Sequence, residues 1–130
     1  MEEGIRFGDY VKSKRHEDFR ELTLKDVSEM LGISLTLLSD IESNRRKPFD
    51  SERIEIFAQE LRLSEEEKTV MYDLAGRAKK EIPHDIEEIM MEGEIGKMAR
   101  FALRQSNAGV IDEEDWKKFI RSIEKKGGKK

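Results

Sequence analysis

The side chains that most often carry out chemistry in proteins are scarce in this chain. Of its 130 residues none is cysteine and only two are histidine, His16 and His84. His84 and Glu88 stand four residues apart, which suits two metal ligands on one helix face, but two ligands are too few for a metal site. Without cysteine, disulfides and thiolate ligands are excluded. The sequence therefore predicts no metal site, no cofactor and no enzymatic activity.

Three consecutive cations, Arg45, Arg46 and Lys47, are the residues best suited to hold a ligand, and Pro48 follows them. The whole chain has 25 Lys and Arg against 29 Asp and Glu, a net charge of −4. A polyanion would have to be met by this local patch and not by the field of the whole protein. A solvated loop is the alternative interpretation of the same run.

Two short amphipathic segments stand directly before these cations, in the stretch TLKDVSEMLGISLTLLSDIE. Thr23 with Asp26 three residues later is typical of a helix N-terminus. Gly32 suits a left-handed helix stop, and Ser34 suits the N-cap of the next helix. The stretch therefore predicts two helices joined by a tight turn, with Val27 and Ile33 closing the angle between them.

The rest of the chain also has helical spacing of its apolar residues and no sustained strand alternation. The fold class predicted is all-α, with five helices before residue 80 and three more after Pro83. We expect one domain over residues 5–80, a C-terminal helical segment over residues 81–126, and a disordered tail over residues 127–130. In the C-terminal segment, apolar stripes are expected at Ile95, Met98, Ala99 and Ala102, and at Trp116, Phe119, Ile120 and Ile123.

The segments YVKSKR, LTLKDVSEMLGIS and LLSDIESNRRKP resemble the first helix, the helix-turn and the recognition helix with its basic loop in the lambda-repressor-like helix-turn-helix family, also called the Xre family. The resemblance covers residues 7 to 78. It implies a five-helix DNA-binding domain and a sequence-specific transcriptional regulator, a repressor, that binds double-stranded DNA. The recognition helix, around residues 34–43, would enter the major groove.

The resemblance also implies roles for individual residues, position by position. Arg15 and Glu42 match a structural ion pair between the first helix and the recognition helix. The positions that match base contacts are Ser34, Leu35, Thr36, Ser39 and Asp40. The positions that match phosphate contacts are Thr23, Ser43, Arg45, Arg46 and Lys47.

Several alternatives stay open. Asp40 either accepts a hydrogen bond from cytosine or is a surface acid that pairs with a nearby cation. Lys12 and Lys14 either approach DNA or belong to a solvated face. A rival to DNA binding is an antitoxin-like or scaffold protein that keeps the helix-turn-helix fold for protein interaction.

The C-terminal stripes allow two interpretations as well, because they can pack on the domain or against a second copy. Regulators of this class often bind palindromic DNA as two-fold dimers, so a homodimer is expected. The apolar runs are too short to span a bilayer, and MEEGIRFGDY lacks the apolar core of a signal peptide. We therefore expect a cytoplasmic protein.

Overall fold

The structure, a computed structural model, describes residues 4–127. Within that range the regular secondary structure is entirely α-helical, which confirms the all-α class. The chain divides into two compact units between Glu87 and Glu88, whereas the boundary predicted from Pro83 lay after residue 80. The helices are α1 (Phe7–Glu17), α2 (Leu24–Leu31), α3 (Leu35–Glu42), α4 (Ser51–Glu60), α5 (Glu65–Lys79), α6 (His84–Met91), α7 (Gly93–Asn107) and α8 (Glu113–Gly127).

Local sequence signals fix where α2 begins and ends. The hydroxyl of Thr23 accepts a hydrogen bond from the backbone N–H of Asp26 at 3.0 Å. The carboxylate of Asp26 accepts one from the backbone N–H of Thr23 at 2.8 Å, which completes the predicted capping box. Gly32 ends the helix at φ +69°, a left-handed conformation that glycine adopts without steric cost.

The helices of the first unit enclose one apolar core. Close helix pairs are α1 with α3, α2 with α3, α2 with α4, α4 with α5, and α1 with α5. The rings of Phe7 and Phe49 meet edge to face at 5.0 Å, and Phe57 lies 5.9 Å from Phe49. Side chains from all five helices complete the interior, so α1–α5 form a single packed body that holds α3 in place. The largest fully buried side chains are Val11, Val27, Leu38, Ile54, Phe57 and Met71.

The second unit contains α7, α8 and the end of α6. The indole Nε1 of Trp116 donates to the hydroxyl of Ser106 at 2.8 Å, and the guanidinium of Arg100 donates to the carbonyl of Met90. Gly127 belongs to α8, whereas the sequence analysis placed the start of a disordered tail at this residue. The basic last turn of α8 explains this, because cations stabilise a helix C-terminus. Residues 128–130 of the predicted tail lie outside the described residues.

Candidate nucleic-acid interface

The turn between α2 and α3 holds the two helices at a fixed angle. The backbone N–H of Ile33 donates to the carbonyl of Ser28 at 3.0 Å, and the N–H of Gly32 donates to Glu29 at 3.3 Å. Val27 is fully buried on one side of the turn, and Ile33 packs against the core from the turn itself. The orientation of α3 is therefore set by packing.

One face of α3 is buried and the other is open to solvent. Leu38 and Ile41 fill the core, whereas Ser34, Leu35 and Thr36 are exposed at the start of the helix. The hydroxyl of Ser34 accepts a hydrogen bond from the backbone N–H of Leu37 at 3.0 Å, so its own proton is free to be donated. Further along the helix, Ser39 and Asp40 are half-buried.

The three cations of the loop that follows α3 are open to solvent. Arg45, Arg46 and Lys47 are exposed, and with Arg6 they line a groove of about 390 Å³ beside the start of α1. The groove lining contains four cationic side chains and no carboxylate. Guanidinium and ammonium groups in such a cleft form charge-assisted hydrogen bonds to phosphate oxygens. Arg6, which the sequence analysis did not single out, belongs to this surface.

Asn44 anchors the basic loop to α1, a role that was not predicted from the sequence. Its side-chain oxygen accepts a hydrogen bond from the backbone N–H of Gly8 at 2.9 Å, and its amide donates to the carboxylate of Asp9 at 3.0 Å. Asn44 has φ +64°, a conformation that asparagine tolerates better than most residues. Gly8 allows this approach, because a Cβ there would overlap the carbonyl oxygen of Ile41. The sequence signal for this role was an asparagine directly after a helix, a position where asparagine can adopt the left-handed conformation that ends the helix.

Arg15 and Glu42 form the ion pair that the resemblance implied. The guanidinium meets both carboxylate oxygens at 2.8 Å, and the two side chains are 9% and 5% exposed. A third donor of Arg15 reaches the carbonyl of Leu22 at 3.1 Å. The hydrogen bonds to Glu42 raise the pKa of Arg15, against the opposite effect of burial. This pair ties the end of α3 to α1 and does not face solvent.

Asp40 is engaged with a neighbouring cation. Its carboxylate accepts a hydrogen bond from the guanidinium of Arg45 at 3.1 Å, and its carbonyl accepts from the N–H of the same residue at 2.8 Å. Ser43 turns its hydroxyl back to the carbonyls of Ser39 and Asp40, at 3.1 and 3.2 Å. Asp40 therefore makes the contact with a nearby cation that was its alternative role, and Arg45 and Ser43 are also partly occupied by bonds within the chain.

The remaining candidate DNA contacts, Thr23, Lys12 and Lys14, differ in their exposure to solvent. Thr23 is exposed at the start of α2, and Lys12 is exposed on α1. Lys14 is half-buried, with its ammonium 2.8 Å from the carboxylate of Glu67. Burial lowers the pKa of Lys14, but the hydrogen bonds to Glu67 and Glu17 outweigh this and raise it. Lys14 is thus a structural cation between α1 and α5.

Residues 4–127 hold no group of three or more His, Asp or Glu side chains arranged to bind a metal ion. His84 lies 4.0 Å from Glu87, a single weak contact on α6. Over the same described range, none of the helices combines the length and apolar character needed to cross a bilayer.

Comparison with known proteins gives no match to any protein-family model, and no significant match to any curated protein or solved structure.

Proposed function

We propose that this chain is a sequence-specific, double-stranded-DNA-binding transcriptional regulator of the repressor type. In this proposal α1–α5 form a lambda-repressor-like domain, and α3 enters the major groove while α2 braces it. The single observation that carries the proposal is that two exposed surfaces follow each other along the chain. The first surface is the exposed start of α3, with Ser34, Leu35 and Thr36. The second is the set of exposed cations at residues 45–47, directly after the same helix.

The two surfaces have complementary roles in DNA recognition. A helix fits the major groove, where hydroxyl groups can donate to or accept from base edges and an apolar side chain can contact the methyl group of thymine. Ser34 and Thr36 supply hydroxyls, and Leu35, at 49% exposed, supplies the apolar contact. Cations on the adjacent loop meet phosphates, which fixes the register of the protein on the duplex.

Local charge makes this loop distinctive in an acidic chain. The net charge of −4 predicts weak general attraction to DNA, so binding depends on the groove formed by Arg6 and residues 45–47. Each phosphate that a cation neutralises releases condensed counterions and contributes about 0.9 to the slope of log affinity against log salt.

The test compares a double variant, Arg45→Ala with Arg46→Ala, against the wild-type chain on a duplex selected from a random library. We expect weaker binding to all duplexes to a similar degree, and a salt slope smaller by about 0.9 for each phosphate that the variant no longer neutralises. The matched control is Lys118→Ala with Arg121→Ala, which removes the same charge from the second unit and should leave the slope unchanged. An equal decrease of the slope in both double variants would reject the loop as a phosphate-binding surface.

One observation favours a second candidate function, a protein-interaction module that keeps the same fold. The carboxylate of Asp40 accepts a hydrogen bond from the guanidinium of Arg45 at 3.1 Å, and it places a negative charge on α3. Such a surface suits a partner protein with its own charged groups better than it suits DNA. Salt-dependent binding of the full chain to duplex DNA supports the first function, and its absence at low salt supports the second.

A further inference from the structure

Among the described residues of the second unit, most apolar side chains are exposed to solvent and the others are half-buried. Among the described residues 88–127 only Gly96 is buried, so this part of the unit contains no buried apolar side chain. Helices without a core of their own need a covering surface to be stable. The large apolar residues exposed here are Ile89, Met91, Ile95, Met98, Phe101, Leu103, Val110, Phe119, Ile120 and Ile123.

Helix α8 carries the most regular part of this surface. Trp116, Phe119, Ile120 and Ile123 recur at the spacing of one helix face and are called here the α8 stripe. Phe119 is 55% exposed, Ile120 47% and Ile123 45%, while Trp116 is held at one end by its hydrogen bond to Ser106. A stripe this narrow on a helix of 15 residues is typical of a helix–helix seam.

The two ends of α8 carry opposite charges. Glu113, Glu114 and Asp115 lie in the first turn, and Lys125 and Lys126 lie in the last. A parallel pair of such helices would bring the acidic turns together, whereas an antiparallel pair places each acidic turn beside a basic one. Antiparallel pairing also aligns the helix dipoles favourably.

We propose that the α8 stripe is the interface to a second copy of this chain, with the two α8 helices antiparallel about a two-fold axis. The axis lies between Phe119 and Ile120. In this register Phe119 faces Ile120 of the second copy, and Trp116 faces Ile123 of the second copy. Each apolar side chain then has an apolar partner, as a self-complementary two-fold interface requires.

The same register places the flanking charges in opposite-sign pairs. On one flank, Lys126 of the second copy lies between Asp112 and Asp115. On the other flank, Lys117 lies beside Glu124 of the second copy. Position 115 of one copy and position 126 of the second copy are offset by two residues, or about 3 Å along the helix axis at a rise of about 1.5 Å per residue. The interface is therefore apolar at its centre and charge-complementary at both ends.

This inference does not rest on DNA binding, because its readouts are mass and cross-linking of the free protein. Light scattering on the full chain should give twice 15.2 kDa for the wild type and 15.2 kDa for Ile120→Glu, which puts a carboxylate into the seam. The matched control, Lys118→Glu, lies on the opposite face of α8 and should remain dimeric. A monomeric wild type at high concentration, or a dimeric Ile120→Glu variant, would overturn the proposal.

Cross-linking tests the orientation without changing any residue of the α8 stripe, and because the chain has no native cysteine, no other thiol takes part. Asp115→Cys and Lys126→Cys are prepared as separate full chains, mixed in equal amounts and oxidised. The antiparallel register predicts that the mixed disulfide dominates and that neither variant alone forms a disulfide dimer efficiently. Disulfides within each variant alone, without the mixed product, would show a different arrangement and refute this one.

Discussion

Breaking the buried ion pair between Arg15 and Glu42 is expected to remove a large share of the stability of the first unit. Glu42→Gln keeps the shape of the side chain but leaves the buried guanidinium without its counter-charge. Removing one partner of a buried pair costs about 3–5 kcal/mol. Because a domain unfolds with roughly 5–15 kcal/mol in total, this loss is a large share of the stability.

A double variant separates the cost of an unpaired charge from the worth of the pair. Arg15→Met with Glu42→Leu leaves no buried charge, and such replacements of buried ion pairs are often neutral. Here the carbonyl of Leu22 also loses its donor at 3.1 Å, which costs about 1–3 kcal/mol. We therefore expect the double variant to lose clearly less stability than Glu42→Gln, without fully reaching the wild type.

Urea unfolding of the full chain, followed by far-ultraviolet circular dichroism, measures both effects. With a slope of about 1–3 kcal/mol per molar urea, Glu42→Gln should lower the midpoint by at least about 1 M. The control is Glu65→Ala, whose side chain is 88% exposed and 3.9 Å from Lys68, so the change should stay below about 1 kcal/mol. A Glu42→Gln variant as stable as this control, or a double variant less stable than Glu42→Gln, would refute the reasoning.

Three further results are expected. Gly8→Ala should lower the urea midpoint sharply, because its methyl group would overlap a backbone oxygen of α3; a midpoint equal to the wild type would contradict this. The hydrogen bonds from Lys14 and from a backbone N–H lower the pKa of Glu67. Its contribution to stability is thus complete above the ordinary glutamate pKa and disappears as pH falls through the lowered value, so the deficit of Glu67→Gln should shrink with acidification in unfolding measurements. Asp40→Ala should release Arg45 and tighten binding to all duplexes with the base preference intact, whereas relaxed preference at one base pair of the site would show that Asp40 reads a base.

The parts of the fold that depend on local chemistry could be predicted from the sequence. The cap at Thr23 and the left-handed stop at Gly32 each involve residues within one helical turn, so their types and spacing are sufficient evidence. The start of α3 at Ser34 follows the same rule. These three positions fix the beginning and end of α2 and the beginning of α3 without any knowledge of the tertiary structure.

Contacts that depend on tertiary packing were not accessible in the same way. Asn44 meets Gly8 across 36 positions of the chain, and no pattern in the sequence links them. The Asp40–Arg45 pair is closer in sequence, yet its formation depends on how the chain leaves α3. Arg6 lines the basic groove at the place where Asn44 bonds the loop to α1. The cationic run was therefore predictable, but the shape of the groove around it was not.

Helices α5 and α8 show most directly where the spacing of apolar residues stops being informative. In α5, Met71, Leu74 and Ala75 lie within the core of the first unit. In α8, Phe119 and Ile120 have the same kind of spacing and stay about half exposed. Periodicity establishes that a helix has an apolar face, but not which surface covers it. That surface is set by the rest of the fold or by another molecule, and the periodicity of neither helix encodes it.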